Sequence, residues 1–172
     1  MLQERGRLYS PYLAGVPRSY GARIDRHNFL NNSLADYLLK HNYEVTHEPR
    51  VPHRSTFLKP DLVVVKDSRI GFIIDTAICN TNRHPDEVYK NKVDKYEPCI
   101  DYVKQRFGLN SVQVGALVYT WNGALSTRSY EFLKLLELPK FLFTRWSLRV
   151  LLGSLFTYRQ YNKSSYFYYD DP

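Results

Sequence analysis

The sequence predicts an α/β fold in which a mixed β-sheet is flanked by helices. Two neighbouring apolar runs, Leu62 to Val65 and Ile70 to Ile74, read as a central hairpin apolar on both faces. Helical stripes lie before and after them, and the order helix, strand, strand, strand, helix, strand, helix, helix is that of layers built around a sheet. At 172 residues the chain is of single-domain length and can bury a core without disulfides or a structural metal.

Residues 1–22 mix Gly6, Pro11, Gly15, Pro17 and Gly21 with Tyr9, Tyr12 and Tyr20, follow neither period, and are expected to form an arm. From Arg26 to His41 a helical stripe of Leu30, Leu34, Tyr37 and Leu38 follows Asp25, placed to cap it. Tyr43 to His47 alternates as a strand does, whereas Pro49 to Leu58, interrupted by Pro52, reads as a connection. Lys66 to Arg69 supplies the turn of the central hairpin. Pro85, Asp86 and Glu87 suit the first turn of a helix bearing Tyr89, Val93, Tyr96 and Ile100, kinked or restarted at Pro98 and ended by Gly108. Val112 to Tyr119 is strand-like. Ser126 opens a helix carrying Phe132, Leu133, Leu135 and Leu136 that Pro139 ends, and a last helix spans Thr144 to Tyr158. Residues 161–172, with Tyr161, Tyr166, Phe167, Tyr168 and Tyr169, form an aromatic tail suited to packing or to stacking on bases.

Twenty-four Lys and Arg against seventeen Asp and Glu give a net charge of +7, the sign that suits a phosphate-bearing partner. No apolar run approaches the length of a membrane span, so no membrane role is expected. Cys79 and Cys99 are the two cysteines, and no secretory segment opens the chain, which points to a reducing intracellular compartment. Both cysteines read as small core residues, since His27, His41, His47, His53 and His84 complete no zinc pattern with them.

The chemistry sits on the hairpin. With Asp67, Ser68 and Arg69 as its loop, Lys66 pairs with Ile70, and counting outward places Asp61 opposite Asp75. Two facing carboxylates in so apolar a sheet repel unless one is protonated or a cation bridges them. Hard oxygen ligands favour Mg²⁺ or Mn²⁺. Glu48 becomes a third carboxylate if its strand neighbours the hairpin. Phosphodiester cleavage also needs a cation to offset developing negative charge. Lys92 flanks the stripe of the following helix and can reach the sheet edge, while Lys95 points further away. Arg50, His53, Arg54 and Lys59 precede the Pro60-Asp61 pair, where a loop meets DNA phosphates, and Arg145 and Arg149 could also touch the backbone.

Lys59-Pro60-Asp61, thirteen residues, Asp75, then Tyr89-Lys90-Asn91-Lys92-Val93-Asp94-Lys95-Tyr96 resembles the restriction-like endonuclease of site-specific non-LTR retrotransposons, within the PD-(D/E)XK superfamily. The resemblance extends to Arg26-His27-Asn28, Glu48-Pro49 and Leu151 to Arg159, and covers residues 23–160. It implies a restriction-endonuclease-like sheet, a Mg²⁺- or Mn²⁺-dependent endodeoxyribonuclease, and double-stranded DNA as substrate. Asp61 and Asp75 would be the metal-binding carboxylates and Lys92, or else Lys95, the catalytic lysine. His27, with Arg26 and Asn28, would join Arg50, Arg54 and Lys59 in binding DNA. It further implies a nuclear setting and fusion to a reverse transcriptase in a larger polyprotein, the nick priming reverse transcription. Ala77 stands where many of these nucleases carry the lysine, so the helix must supply it. Two alternatives remain: an inactive module of the same fold binding nucleic acid or protein, and a junction resolvase or repair nuclease on the same scaffold.

Overall fold

The computed structural model describes residues 17–80 and 82–166, and the side chains of residues 21–80 and 82–159. Helix α1 spans Pro17–Lys40. It begins well before Arg26, with a proline at its first position, where the missing N–H costs nothing. The last six residues of the expected arm are therefore helical, and residues 1–16 lie outside the described residues. Leu30, Leu34 and Leu38 are fully buried, as their spacing requires.

Strand β1 (Glu44–His47) leads through a small two-stranded ribbon, β2 (Val51–His53) and β3 (Thr56–Leu58), to β4 (Leu62–Lys66). The expected connection over 49–58 is thus largely ordered ribbon. Its strands are too short to show a period, and Pro52 is tolerated because a two-stranded ribbon has only edges. Strand β5 (Ile70–Cys79) pairs antiparallel with β4 from Lys66↔Ile70 to Leu62↔Ile74, the register counted from the loop. Asp67 and Ser68 take left-handed conformations, φ 51° and 53°, and the Arg69 amide returns to the Lys66 carbonyl at 3.1 Å.

Helix α2 (Pro85–Tyr96) runs into a 3₁₀ turn at Glu97–Cys99, where Pro98 lies, and continues as α3 (Ile100–Phe107). Gly108 ends it at φ 64°. This crossover delivers β6 (Ser111–Thr120) parallel to β5, giving a mixed sheet of order β1-β4-β5-β6. Ser126 caps α4 (Thr127–Lys134), and α5 (Lys140–Tyr166) closes the described chain. Helix α5 exceeds the expected 144–158 at both ends and takes in residues 161–166 of the expected tail, the rest of which lies outside the described residues.

The sheet is sandwiched. Leu62, Val64, Phe72, Ile74, Leu117 and Tyr119 face α1, α4 and α5, with Trp146 fully buried among them. The alternate residues Val63, Val65 and Ile73 face Tyr96, Cys99 and Val103 on the other side. Cys79 and Cys99 are free and buried, consistent with packing roles. Among the described residues no helix is long and apolar enough to cross a membrane.

Candidate functional site

The site lies at the open end of the β4–β5 pair. One step beyond Leu62↔Ile74, the same register sets Asp61 against Asp75. Glu48 enters the row as well, because its amide donates to the Asp61 carbonyl at 2.8 Å and extends the β1–β4 ladder. Three acidic residues thus meet along one backbone row. Their side chains then diverge, and the reason is local.

Asp61 precedes the first residue of β4 and is not held in the pleat. Its Oδ2 accepts the Thr76 amide at 2.6 Å, taking the place of a ladder partner where β4 has not yet begun. The same Oδ2 lies 3.1 Å from His27 Nε2 on α1. Asn31, one turn along α1, places Nδ2 3.4 Å from His27 Nδ1, and its Oδ1 accepts the Thr76 hydroxyl at 2.5 Å. Asp61, His27, Asn31 and Thr76 therefore close a ring of hydrogen bonds. In the neutral imidazole, an Asn31 amide donating to Nδ1 puts the proton on Nε2, facing Asp61. Burial opposes the Asp61 charge, but the bonds from His27 and the Thr76 amide outweigh it and hold this carboxyl below the usual range. His27 is shifted upward, first by its bond to Asp61 and, more weakly, by the charges of Asp61 and Asp75, against the opposing effect of burial.

Asp75 lies in the middle of β5, 4% exposed, on the face covered by α2. Lys92 Nζ stands 2.5 Å from its Oδ2. At that separation the two charges form a close ion pair inside the sheet. The Tyr96 hydroxyl stands beside it. Burial, then a hydrogen bond to Asp75 and the Asp75 charge, raise the phenol far above its ordinary range, so it stays protonated. Tyr96 donates to the Lys59 carbonyl at 3.0 Å. Lys95 donates to the Tyr96 hydroxyl at 2.9 Å and lies over its ring, so it approaches Asp75 through Tyr96.

Each carboxylate thus has a basic partner of its own, His27 from the α1 layer and Lys92 from the α2 layer. The repulsion expected of two facing aspartates is already compensated within the chain, and a cation is not needed to make the pair tolerable. The chemistry of the donor set nevertheless fits a Mg²⁺-type ion: two carboxylates carried at facing backbone positions supply hard oxygens and leave the remaining positions to water, as such ions prefer. No cluster of three or more His, Cys, Asp or Glu suited to a metal occurs among the described residues. The Glu48 carboxylate is exposed and pairs with Lys59 at 2.5 Å rather than turning toward Asp61 and Asp75.

The residues expected to meet DNA fall into separate places. Arg26 is buried in the seam between α1 and α5, bonded to the Ser154 hydroxyl, and is not presented at the surface. Asn28 is exposed, with Oδ1 3.5 Å from His27 Nδ1. Arg50 and Arg54 are exposed on the β2–β3 ribbon, and Lys59 closes its base against Glu48. Arg145 and Arg149 lie over the Phe29 ring. Sequence reasoning passed over Asn31, Thr76 and the hydroxyl of Tyr96. The available signals were His27 and Asn31 at i and i+4 beside a leucine stripe, and a threonine directly after an aspartate in an apolar run.

No family model matches the chain. It is similar to the retrovirus-related Pol polyprotein from type-2 retrotransposable element R2DM of Drosophila melanogaster, 29% identical over 152 residues that cover 84% of this chain. It is also similar to those from type-1 retrotransposable element R2 of Nasonia vitripennis, 25% identical over 87% of the chain, and of Bradysia coprophila, 24% identical over 87%. The chain spans 14 to 17% of the length of these relatives. A crystal structure of a protein of unknown function aligns with 62% of this chain and 53% of its own, at a TM-score of 0.39 and 13% identity, too distant to carry an argument. The homologues of this chain are thus R2 retrotransposon Pol polyproteins at modest identity.

Proposed function

We propose that the chain is a Mg²⁺- or Mn²⁺-dependent DNA endonuclease of the restriction-like, PD-(D/E)XK kind, acting in retrotransposition as part of a larger polyprotein and nicking target DNA to prime reverse transcription. The observation that carries the reading is Asp61 set against Asp75 at one sheet end, with the Lys92 ammonium 2.5 Å from the second carboxylate. The R2 relatives support the retrotransposition setting, and their much greater length supports a reverse transcriptase as the fused partner. The basic balance of the chain suits a double-stranded DNA substrate and the nuclear compartment where that DNA lies.

Asp61 and Asp75 are the residues that would hold the ion, and when bound it supplies positive charge that polarises the phosphate and lowers the pKa of a water. The remaining work belongs to side chains. Thr76 and His27 occupy Asp61 Oδ2 and leave its other oxygen for ligation. Lys92 brings an ammonium to the same place, where it offsets charge developing on the phosphoryl oxygens. Tyr96, kept protonated, holds Lys59 and with it the Pro60-Asp61 corner.

The test is nicking of supercoiled plasmid by the purified chain in Mg²⁺ or Mn²⁺, compared with Asp75→Ala. Cleavage by the parent and none by the variant is expected; equal cleavage by both would overturn the site.

A further inference from the structure

We propose that the β2–β3 ribbon grips duplex DNA beside the cut, with Phe57 wedged into the base stack and Arg50 and Arg54 on the flanking phosphates. The inference rests on the nuclease reading above for its choice of partner, and on three features of the ribbon for its substance.

The base of the ribbon is fixed. Val51 is 1% exposed within the core cluster of Tyr96, Cys99 and Val103, and Tyr96 holds the Lys59 carbonyl at 3.0 Å. The Glu48–Lys59 pair closes the same base, and Lys59-Pro60 leads directly into Asp61. Whatever the ribbon touches is therefore held in register with the carboxylates.

Along the ribbon an exposed aromatic ring is paired with a cation. Phe57 is 44% exposed, and the Arg50 guanidinium lies 4.6 Å above its ring. An aromatic ring left in water costs free energy, and one steadied by arginine among basic residues suits the apolar face of a base flanked by phosphates. Side-chain wedges of this sort unstack base steps, and a two-stranded ribbon has the width of a DNA groove.

The tip also carries strain. Arg54 opens the two-residue turn between His53 and Thr56 at φ 52°, a conformation that glycine or asparagine adopts at lower cost. Keeping an arginine there makes sense if its side chain is used, and strain of this sort concentrates at functional positions.

The experiment uses the full 172-residue chain in EDTA, so that DNA is bound but not cut. The probes are short duplexes of mixed sequence carrying 2-aminopurine, whose fluorescence rises on unstacking. The parent chain is expected to raise the signal. Phe57→Ala should abolish the rise and weaken binding by about 5- to 160-fold, the range for loss of one stacked base, while Phe57→Trp retains both. Arg54→Gly should leave the fold at least as stable, since glycine relieves the turn, yet weaken binding. Parent-like affinity and fluorescence in Phe57→Ala overturn the proposal, as they would if the ribbon served a protein partner. The two readings separate cleanly. A chain that nicks plasmid while Phe57→Ala binds as the parent does sinks the ribbon alone, whereas ribbon-dependent unstacking by a chain that never nicks sinks the nuclease and leaves the ribbon standing.

Discussion

The two carboxylates occupy adjacent positions on one hairpin, yet their surroundings are built on opposite plans. Around Asp61 Oδ2, amide, imidazole, carboxamide and hydroxyl form a closed circuit of directed hydrogen bonds. Around Asp75 the compensation is one ammonium at short range, with the Tyr96 hydroxyl beside it. A circuit of directed bonds fixes a carboxylate's orientation, whereas a single flexible ammonium compensates charge with less constraint on angle. Asp61 is held by directed bonds and Asp75 chiefly by charge.

The strongest way to break this contrast is to remove Asp75. Asp75→Ala is expected to lower nicking by at least roughly 10³-fold, the scale of losing a principal electrostatic group, with little change in melting temperature. Next comes its partner. Lys92→Met leaves a buried carboxylate uncompensated and should destabilise the metal-free chain by about 3 kcal/mol, measured by urea unfolding. Added Mg²⁺ should recover much of that loss, because the ion takes over the ammonium's role; no recovery would argue against ligation by Asp75.

The circuit around Asp61 should yield smaller effects. Asn31→Leu is expected to weaken Mn²⁺ binding by about 10- to 100-fold, as losses in the support of metal ligands do, and to change the His27 tautomer seen in its ¹⁵N shifts. A structural role alone would leave the tautomer untouched. The same circuit predicts a pH dependence without metal. His27 titrates above its ordinary 6.5, so its contribution to stability is complete below that value and fades as pH rises through the raised one. Asp61, shifted downward, contributes above its ordinary 3.8 and loses that contribution as pH falls through the lower value. Thermal melts in EDTA across this range, flattened at the upper end by His27→Gln, would check it. Smallest of all, Lys66→Met at the closed end of the same hairpin removes the exposed Lys66–Glu137 pair. It should cost less than about 1 kcal/mol and leave nicking unchanged.

The mixed sheet, the hairpin register and the backbone placement of Asp61 opposite Asp75 were legible in the sequence because a defined turn fixes pairing by counting alone, whereas the divergence of the two side chains was not. Gly108 and Ser126 likewise marked real helix boundaries. Less could be read where contacts come from separate elements. That His27 reaches Asp61 depends on how α1 lies over β5, which no local pattern encodes, and Thr76 acts partly through its backbone amide, which any residue type carries. The ribbon escaped notice because three-residue strands are too short for alternation to show. The charge argument was incomplete, since the sequence did not indicate that helices on both sides would each bring a basic group.

Gly153 on α5 has a reach that its position does not suggest. A Cβ there would collide with the aliphatic stem of Arg26, whose guanidinium crosses the helix to Ser154. Arg26 is next to His27, so the bare backbone at this crossing sets how deeply α1 can seat and, through it, the height of the imidazole above Asp61. A single methyl group added to a helix that supplies neither carboxylate would act like a shim under a lever, lifting the imidazole from its partner while leaving every ligand in the sequence unchanged.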